Sequence, residues 1–130
     1  GEALEVNQEV NCVTDFIHGC EDQLQKLKKQ KEKGLLYGIP ISIKDHINCK
    51  GPISSGGMVK FLGQVKEEDS VIVQILKHQG GIPFVKANTP QTMPLLHSPA
   101  DLPLPSYDCS NFIFGQTLSP LNPQKSPGGS

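Results

Sequence analysis

The chain has 130 residues, of which 36% are hydrophobic and 19% are charged, and its formal net charge is −1. This length predicts one domain with enough core to fold. Because the charge is nearly balanced, it gives no indication of binding to nucleic acid or to an anionic membrane surface. No apolar run reaches the roughly 18 residues that a transmembrane helix needs, and the acidic start carries no signal peptide pattern. Because residue 1 is Gly1 rather than methionine, we expect a fragment or a processed end.

The cysteines indicate a reducing, cytosol-facing compartment. They are scattered and include no Cys-x-x-Cys pair, and no secretory signal accompanies them, which favours free thiols. The four are Cys12, Cys20, Cys49 and Cys109. The only close pairings with histidine, His18 with Cys20 and His46 with Cys49, have no specific metal-site spacing. We therefore expect no metal and no cofactor.

The first elements in chain order are a helix and a strand. Apolar residues recur at intervals of three and four, which predicts a helix over residues 11–33 with Gly34 as its stop. These residues are Val13, Phe16, Ile17, Cys20, Leu24 and Leu27. The lysine-rich end of this helix, residues 26–33, is interpreted as a solvated face that complements the helix dipole, in preference to a phosphate-binding patch. Residues 34–44 then predict a strand that ends at Lys44.

Lys44 is the residue on which the functional interpretation depends. Isoleucines alternate with Pro40, Ser42 and Lys44 in this strand, so Ser42 and Lys44 share one face. Pro40 lacks a ladder donor and favours an edge or early position. A lysine here either reaches solvent or lies in a partly dry site, where a neutral amine can act as a base.

The middle of the chain predicts an α/β alternation. Residues 45–58 are rich in turn formers, which mark either a plain loop or a close backbone approach, and His46 is either a general base or a surface histidine. A helix over residues 71–79, capped by Asp69 or Ser70 and ended by glycines, leads to a strand over residues 82–87. We expect the helix to bury Val71, Ile72, Ile75 and Leu76. Pro83 argues against a central position for that strand.

Prolines punctuate residues 89–105, so we expect neither helix nor central strand there, whereas residues 111–117 regain apolar content. A loop of this length is either functional or disordered. Residues 126–130, Ser-Pro-Gly-Gly-Ser, form a glycine-rich turn whose backbone amides are suited to binding an anion.

Several of these segments together resemble the amidase-signature family, with the strongest likeness to the vertebrate fatty-acid amide hydrolase branch. They occur in that family's order and cover nearly the whole chain. The segments are residues 11–14, 34–45, 69–80, 83–91, 106–111 and 126–130. The resemblance implies an incomplete N-terminal portion of an α/β/α fold with a mixed sheet flanked by helices.

The chemistry that the resemblance implies is amide hydrolysis by a Ser-Ser-Lys arrangement. Lys44 matches the base, and Ser130 matches the bridging serine that relays the proton. Substrate-binding positions carried over from the resemblance are Met93, Tyr107, Gly128 and Gly129. The implied substrate is a lipid amide.

The sequence departs from the family pattern in two places. The attacking serine and the oxyanion donors of the family lie beyond the Pro-Gly-Gly-Ser turn, and they are absent from these residues. We therefore expect the chain by itself to be inactive, since oxyanion donors alone are worth about 100–1000-fold in rate. Residues 94–105 are an insertion, which a retained intron or a misplaced exon boundary would produce; a lineage-specific loop is the alternative.

Two other functions remain open at this point. One is a truncated, non-catalytic binding module, whose exposed sheet edge and apolar face would drive association, for example as a homodimer. The other is a small metal or redox module that uses the four cysteines. The relatives' membrane-binding segments lie outside these residues, so endomembrane association is expected only of a longer parent protein.

Overall fold

The computed structural model describes residues 1–91 and 109–127. The elements in chain order are α1 (Glu2–Val10), β1 (Val13–Phe16), α2 (Cys20–Lys29), β2 (Pro40–Lys44), a 3-10 turn (Val59–Phe61), α3 (Val71–His78), β3 (Ile82–Ala87), β4 (Ser110–Asn111) and β5 (Gly115–Gln116).

The main sheet has three strands in the order β1-β3-β2. Strands β2 and β3 are parallel and joined by a crossover that contains α3, while β1 is antiparallel to β3. A separate two-stranded hairpin is formed by β4 and β5. The predicted α/β class with a mixed sheet is therefore confirmed.

The helix predicted over residues 11–33 is wrong in its first half. Val13–Phe16 form β1, and α2 begins only at Cys20. Asn11 (φ 51°) and Gly19 (φ 83°) adopt left-handed backbone conformations that interrupt any continuous helix. Since β-branched and aromatic residues suit strands, pairing with β3 prevails over the local periodicity.

The predicted stop at Gly34 is also wrong. Helix α2 ends at Lys29, and Gln30 is its C-cap. Gly34 instead lies against the backbone of Gln79, where a Cβ atom would overlap the Gln79 carbonyl. Its lack of a side chain permits this close approach of two loops.

The two strand prolines behave differently from each other. Pro40 is the first residue of β2, an edge strand, as predicted. The prediction for Pro83 is wrong, because β3 is the central strand. Pro83 is tolerated there because pairing with β1 starts only beyond it, and because the register with β2 slips between Ile41 and Ser42.

The core lies between the sheet and α3. It consists of Ile17, Ile43, Cys49 and Val73, with Ile41, Ile47 and Leu76 packed against it. Of the four α3 residues that we expected to be inward, only Leu76 packs there. The exposed fractions are 71% for Val71, 50% for Ile72 and 51% for Ile75. The helix is apolar on nearly all sides, so its composition does not specify which face meets the sheet.

Candidate active site

Lys44 is the last residue of β2, and its side chain is partly buried. The strand continues its ladder one residue further, since the N–H of Asp45 donates to the carbonyl of Ala87 at 2.8 Å. Lys44 thus lies at the carboxyl edge of two parallel strands, which is where open α/β sheets place ligands. The strand ends at Lys44 as predicted, but it begins only at Pro40, and residues 35–38 of the predicted strand form a turn instead.

A tight turn follows Lys44 and is closed by a hydrogen bond from the N–H of Ile47 to the carbonyl of Lys44 at 3.0 Å. Within the turn, Asp45 is 1% exposed. Its Oδ2 atom accepts hydrogen bonds from Ser55 Oγ at 2.7 Å and from the N–H of Gly56 at 2.8 Å. Its Oδ1 atom is buried without a hydrogen-bond partner among the described residues. The carboxylate thus ties the turn to the loop that follows.

Lys86 lies beside this turn and is completely buried. Its Nζ atom donates to the carbonyls of Lys44 (3.2 Å) and Ile47, and to Ser54 Oγ (3.2 Å). Burial lowers the pKa of the Lys86 ammonium, and the nearby carboxylate of Asp45 opposes that shift. A buried cation therefore lies directly beneath the residues that carry Lys44.

The small residues that follow the turn form a close backbone approach rather than a plain loop. Ser54 Oγ donates to the carbonyl of Ile47 at 3.2 Å, and the N–H of Gly57 donates to Ser55 Oγ at 3.1 Å. Gly57 has φ +73°, and a Cβ atom at this position would lie 3.0 Å from Asn111 Cβ and 3.1 Å from Gln91 Cα. The loop therefore fits between the turn and the segments that flank residues 92–108.

A buried polar network connects distant parts of the chain at this same edge. Asn111 Nδ2 donates to Asn88 Oδ1 at 2.7 Å, and Asn88 Nδ2 donates to Thr117 Oγ1 at 3.0 Å. Thr117 Oγ1 in turn donates to the carbonyl of Asn11 at 2.6 Å. Asn88 directly follows β3, so the network holds the β4–β5 hairpin and the N-terminal segment at the carboxyl edge of the sheet.

A pocket of about 190 Å³ opens beside the loop. It is lined by His46, Asn48, Ser54, Ser55, Gly56, Met58, Phe61 and Lys66. The pKa of His46 is lowered, first by desolvation and then by the charges of Lys44 and Lys86, while Asp45 raises it. The His46 side chain is nevertheless exposed, as the surface interpretation predicts.

The other predicted site residues fall outside the residues that the structure describes. These are Met93, Tyr107, Gly128, Gly129 and Ser130, and the predicted insertion at residues 94–105 lies there too. Lys44 is thus the one predicted site residue with a described position.

Sequence reasoning missed a group of residues that holds the turn after Lys44 in place. The group comprises Asp45, Ser54, Ser55 and Lys86. One signal was present in the sequence: Lys86 is a charged residue near the end of the predicted apolar strand at residues 82–87.

The positions of the cysteines bear on the metal or redox alternative. All four cysteines are free, and residues 1–91 and 109–127 contain no cluster of three or more His, Cys, Asp or Glu that could bind a metal ion. Across those same ranges, every helix is too short or too polar to cross a bilayer.

Comparison with known proteins gives matches along the whole chain. It is 75% identical over 130 residues to vitamin D3 hydroxylase-associated protein of Gallus gallus, covering 100% of the chain and 26% of that protein. It is 46% identical over 129 residues to fatty-acid amide hydrolase 1 of Sus scrofa, covering 99% and 20%. Amidase 1 of Gibberella moniliformis is 33% identical over 135 residues, covering 99% and 24%.

The chain thus spans about a quarter or less of the length of these relatives. A family model described as Amidase matches residues 2–130. With the order of its motifs and the position of Lys44 at the carboxyl edge of the sheet, this match shows that the chain belongs to the amidase family.

Proposed function

We propose that this chain is part of a serine amidase that hydrolyses fatty-acid amides, with Lys44 as its general base. The observation that carries the proposal is the place of Lys44 in a member of the amidase family: a partly buried lysine at the carboxyl end of β2, on a turn anchored by buried polar groups. The 46% identity to a protein named fatty-acid amide hydrolase 1 supports the substrate class.

In the proposed mechanism, the neutral amine of Lys44 accepts the hydroxyl proton of Ser130. Ser130 in turn accepts the proton of an attacking serine, which we place in a part of the protein outside these residues. That serine adds to the amide carbonyl, the C–N bond breaks, and the relayed proton passes to the leaving amine. Water then hydrolyses the acyl ester. By the same resemblance, we assign Gly128 and Gly129 to substrate binding.

We assign the binding of the acyl chain to Met93 and Tyr107. A thioether and an aromatic ring on either side of an acyl chain would contact its methylene groups, each worth about 0.8 kcal/mol when buried. This assignment predicts that Met93→Ala raises KM more for a long-chain amide than for acetamide.

The test of the proposed function is the substitution Lys44→Ala in the longest natural protein that contains residues 1–130. We expect kcat for a long-chain fatty-acid amide to fall by about 100–10,000-fold, the usual contribution of a general base. Lys28→Ala, at an exposed lysine of α2, is the matched control and should retain wild-type activity. Residual activity near the wild-type level in Lys44→Ala would contradict the assignment.

A second candidate is a non-catalytic binding module, and the observation that favours it is the apolar outer face of α3. Val71, Ile72 and Ile75 are each at least half exposed. Such a surface supports association with another protein or with a second copy. A serine-directed fluorophosphonate probe, applied to the longest natural protein that contains residues 1–130, distinguishes the two candidates, since it labels an amidase and leaves a binding module unmodified.

A further inference from the structure

Lys86 is placed on the opposite side of the sheet from Lys44. It pairs in register with Ile43, whereas Lys44 pairs with Ala87. Register partners share a face and successive residues alternate, so Lys86 lies with Ile43 on the core side and Lys44 on the other side. The two lysines therefore approach the same strand end from opposite faces.

All the hydrogen-bond donors of the Lys86 ammonium are satisfied at this strand end. Its three N–H groups meet three acceptors: the carbonyl of Lys44, the carbonyl of Ile47 and the hydroxyl of Ser54. The two carbonyls lie at the start and the end of the turn that follows Lys44. One cation therefore fixes both ends of that turn.

The charge of Lys86 is costly for stability, which makes a purely structural role a poor explanation. Removing a lysine ammonium completely from water costs several kcal/mol even after relaxation, and a well-packed apolar residue of similar volume is often neutral or stabilising. The groups that face this ammonium are the carboxylate of Asp45 from the turn, that of Asp15 from β1, and the thiol of Cys49. Burial raises the pKa of that thiol, which favours its neutral form.

We propose that Lys86 is a positioning residue for Lys44: by binding the two carbonyls of the turn, it sets the direction in which β2 presents the Lys44 amine. Ser54 is the second part of this device, because its hydroxyl accepts from Lys86 and donates to the carbonyl of Ile47. The inference rests on the proposed function of Lys44 as the base.

The test uses Lys86→Met in the longest natural protein that contains residues 1–130, because methionine has an unbranched side chain only one atom shorter than that of lysine and no donors. We expect kcat for a fatty-acid amide to fall by about 10–100-fold with KM within about twofold, since a misplacement of about 1 Å can cost 100-fold in rate. Lys28→Met, at an exposed lysine, is the matched control and should leave kcat unchanged.

A second readout is independent of activity. The rate at which an amine-directed acylating reagent labels Lys44 is followed by peptide mass spectrometry over a range of pH. We expect this rate to change by at least about threefold in Lys86→Met, because the accessibility and surroundings of the Lys44 amine change with its direction. The labelling rates of exposed lysines in the same sample serve as the internal standard.

A pair of milder variants keeps the proposal testable if Lys86→Met fails to fold. Ser54→Ala removes the bridging hydroxyl, and Ser54→Thr restores it. We expect Ser54→Ala to lower kcat by about 3–10-fold, in line with the loss of one ordinary hydrogen bond, and Ser54→Thr to recover most of that loss. Equal effects of both serine variants would overturn the proposal.

The outcomes separate this inference from the proposed function. Unchanged kcat and unchanged Lys44 labelling in folded Lys86→Met would overturn the positioning role. A wild-type protein that hydrolyses no amide would overturn the proposed function, and the Lys44 labelling rates would still decide whether Lys86 positions Lys44. A lower melting temperature with wild-type kcat and labelling would show a structural role only and would also overturn the proposal.

Discussion

At the scale of single residues, two lysines lie at the same strand end in different environments. Lys44 is partly buried at the end of β2, whereas Lys86 is completely buried beneath it. The carboxylate of Asp45 lies in the turn between them and is itself bonded to the following loop. A base that must accept a proton needs a defined direction, and buried hydrogen bonds to the backbone supply one.

The buried charge of Lys86 gives a prediction for the pH dependence of stability. Burial lowers its pKa below the ordinary value of 10.5. Between the lowered value and 10.5 the unfolded state binds more protons than the folded state, so the free energy of unfolding rises with pH in that window. Lys86→Met cannot titrate. We therefore expect the stability of the wild type, relative to Lys86→Met, to increase as the pH approaches 10.5.

Urea unfolding at a series of pH values measures this difference. Lys28→Met, at an exposed lysine, controls for the loss of one lysine. If wild type and Lys86→Met change in parallel over the whole range, the lowered pKa is contradicted.

At the scale of elements, the loop at residues 54–57 joins the turn after β2 to the segments beyond β3. Gly57 lies in the left-handed region, with atoms of Asn111 and Gln91 close to the position that a Cβ atom would take. Gly51 also has a positive φ, at +99°, but nothing lies within 4 Å of the position of its missing Cβ. A comparison of alanine substitutions at these two glycines therefore distinguishes the cost of backbone strain from the cost of displacing close neighbours.

We predict that Gly57→Ala destabilises the protein more than Gly51→Ala does. Both pay for an unfavourable backbone conformation, about 1 kcal/mol, while only Gly57→Ala must also displace its neighbours, at about 1–3 kcal/mol more. Thermal unfolding of both variants measures the difference. Equal losses would show that the loop has room for a methyl group.

Sequence reasoning was more successful for β2 and β3 than for α2 and β1. The alternation before Lys44 and the β-branched run at residues 82–87 identify two strands whose pairing partner is also a neighbour in the α/β order. The pairing of β1 with β3 joins Val13 to Ala87, across most of the chain. Such a contact has no local signature, and the apolar spacing around Val13 therefore suggested a helix.

At the scale of the whole molecule, the outer face of α3 is an exposed apolar surface in the described part of the chain. Ile72 and Ile75 lie one turn apart on the same face, and both are about half exposed. We predict that residues 1–130, purified alone, self-associate through this face, and that Ile72→Lys with Ile75→Lys shifts them toward the monomer.

Sedimentation velocity measures the change in mass. Leu121→Lys, at a residue that is 95% exposed, is the control for the effect of an added charge. A wild-type chain that is monomeric at every concentration would contradict the prediction, and so would association that the double variant leaves unchanged.

The length of the endogenous protein can also be tested at this scale. Its relatives are about four to five times longer in total, since the chain covers 26% and 20% of the first two. If the proposed amidase is correct, peptide mapping of the endogenous protein should detect peptides beyond Ser130, together with peptides that join the two sides of residues 94–105. An endogenous species of 14.1 kDa that contains the insertion would favour the binding module instead.

The sequence by itself determined the amidase family, the α/β class and the strand that ends at Lys44. These depend on local order: alternation along one strand, motifs of a few residues and their succession along the chain. Only the tertiary structure decided what supports Lys44. Lys86 contacts the backbone of Lys44 across 42 positions and Ser54 across 32, and Asp45 is bonded through a loop ten and eleven positions away. A buried cation can be recognised only when the groups that surround it are known, because its burial and its acceptors come from distant parts of the chain.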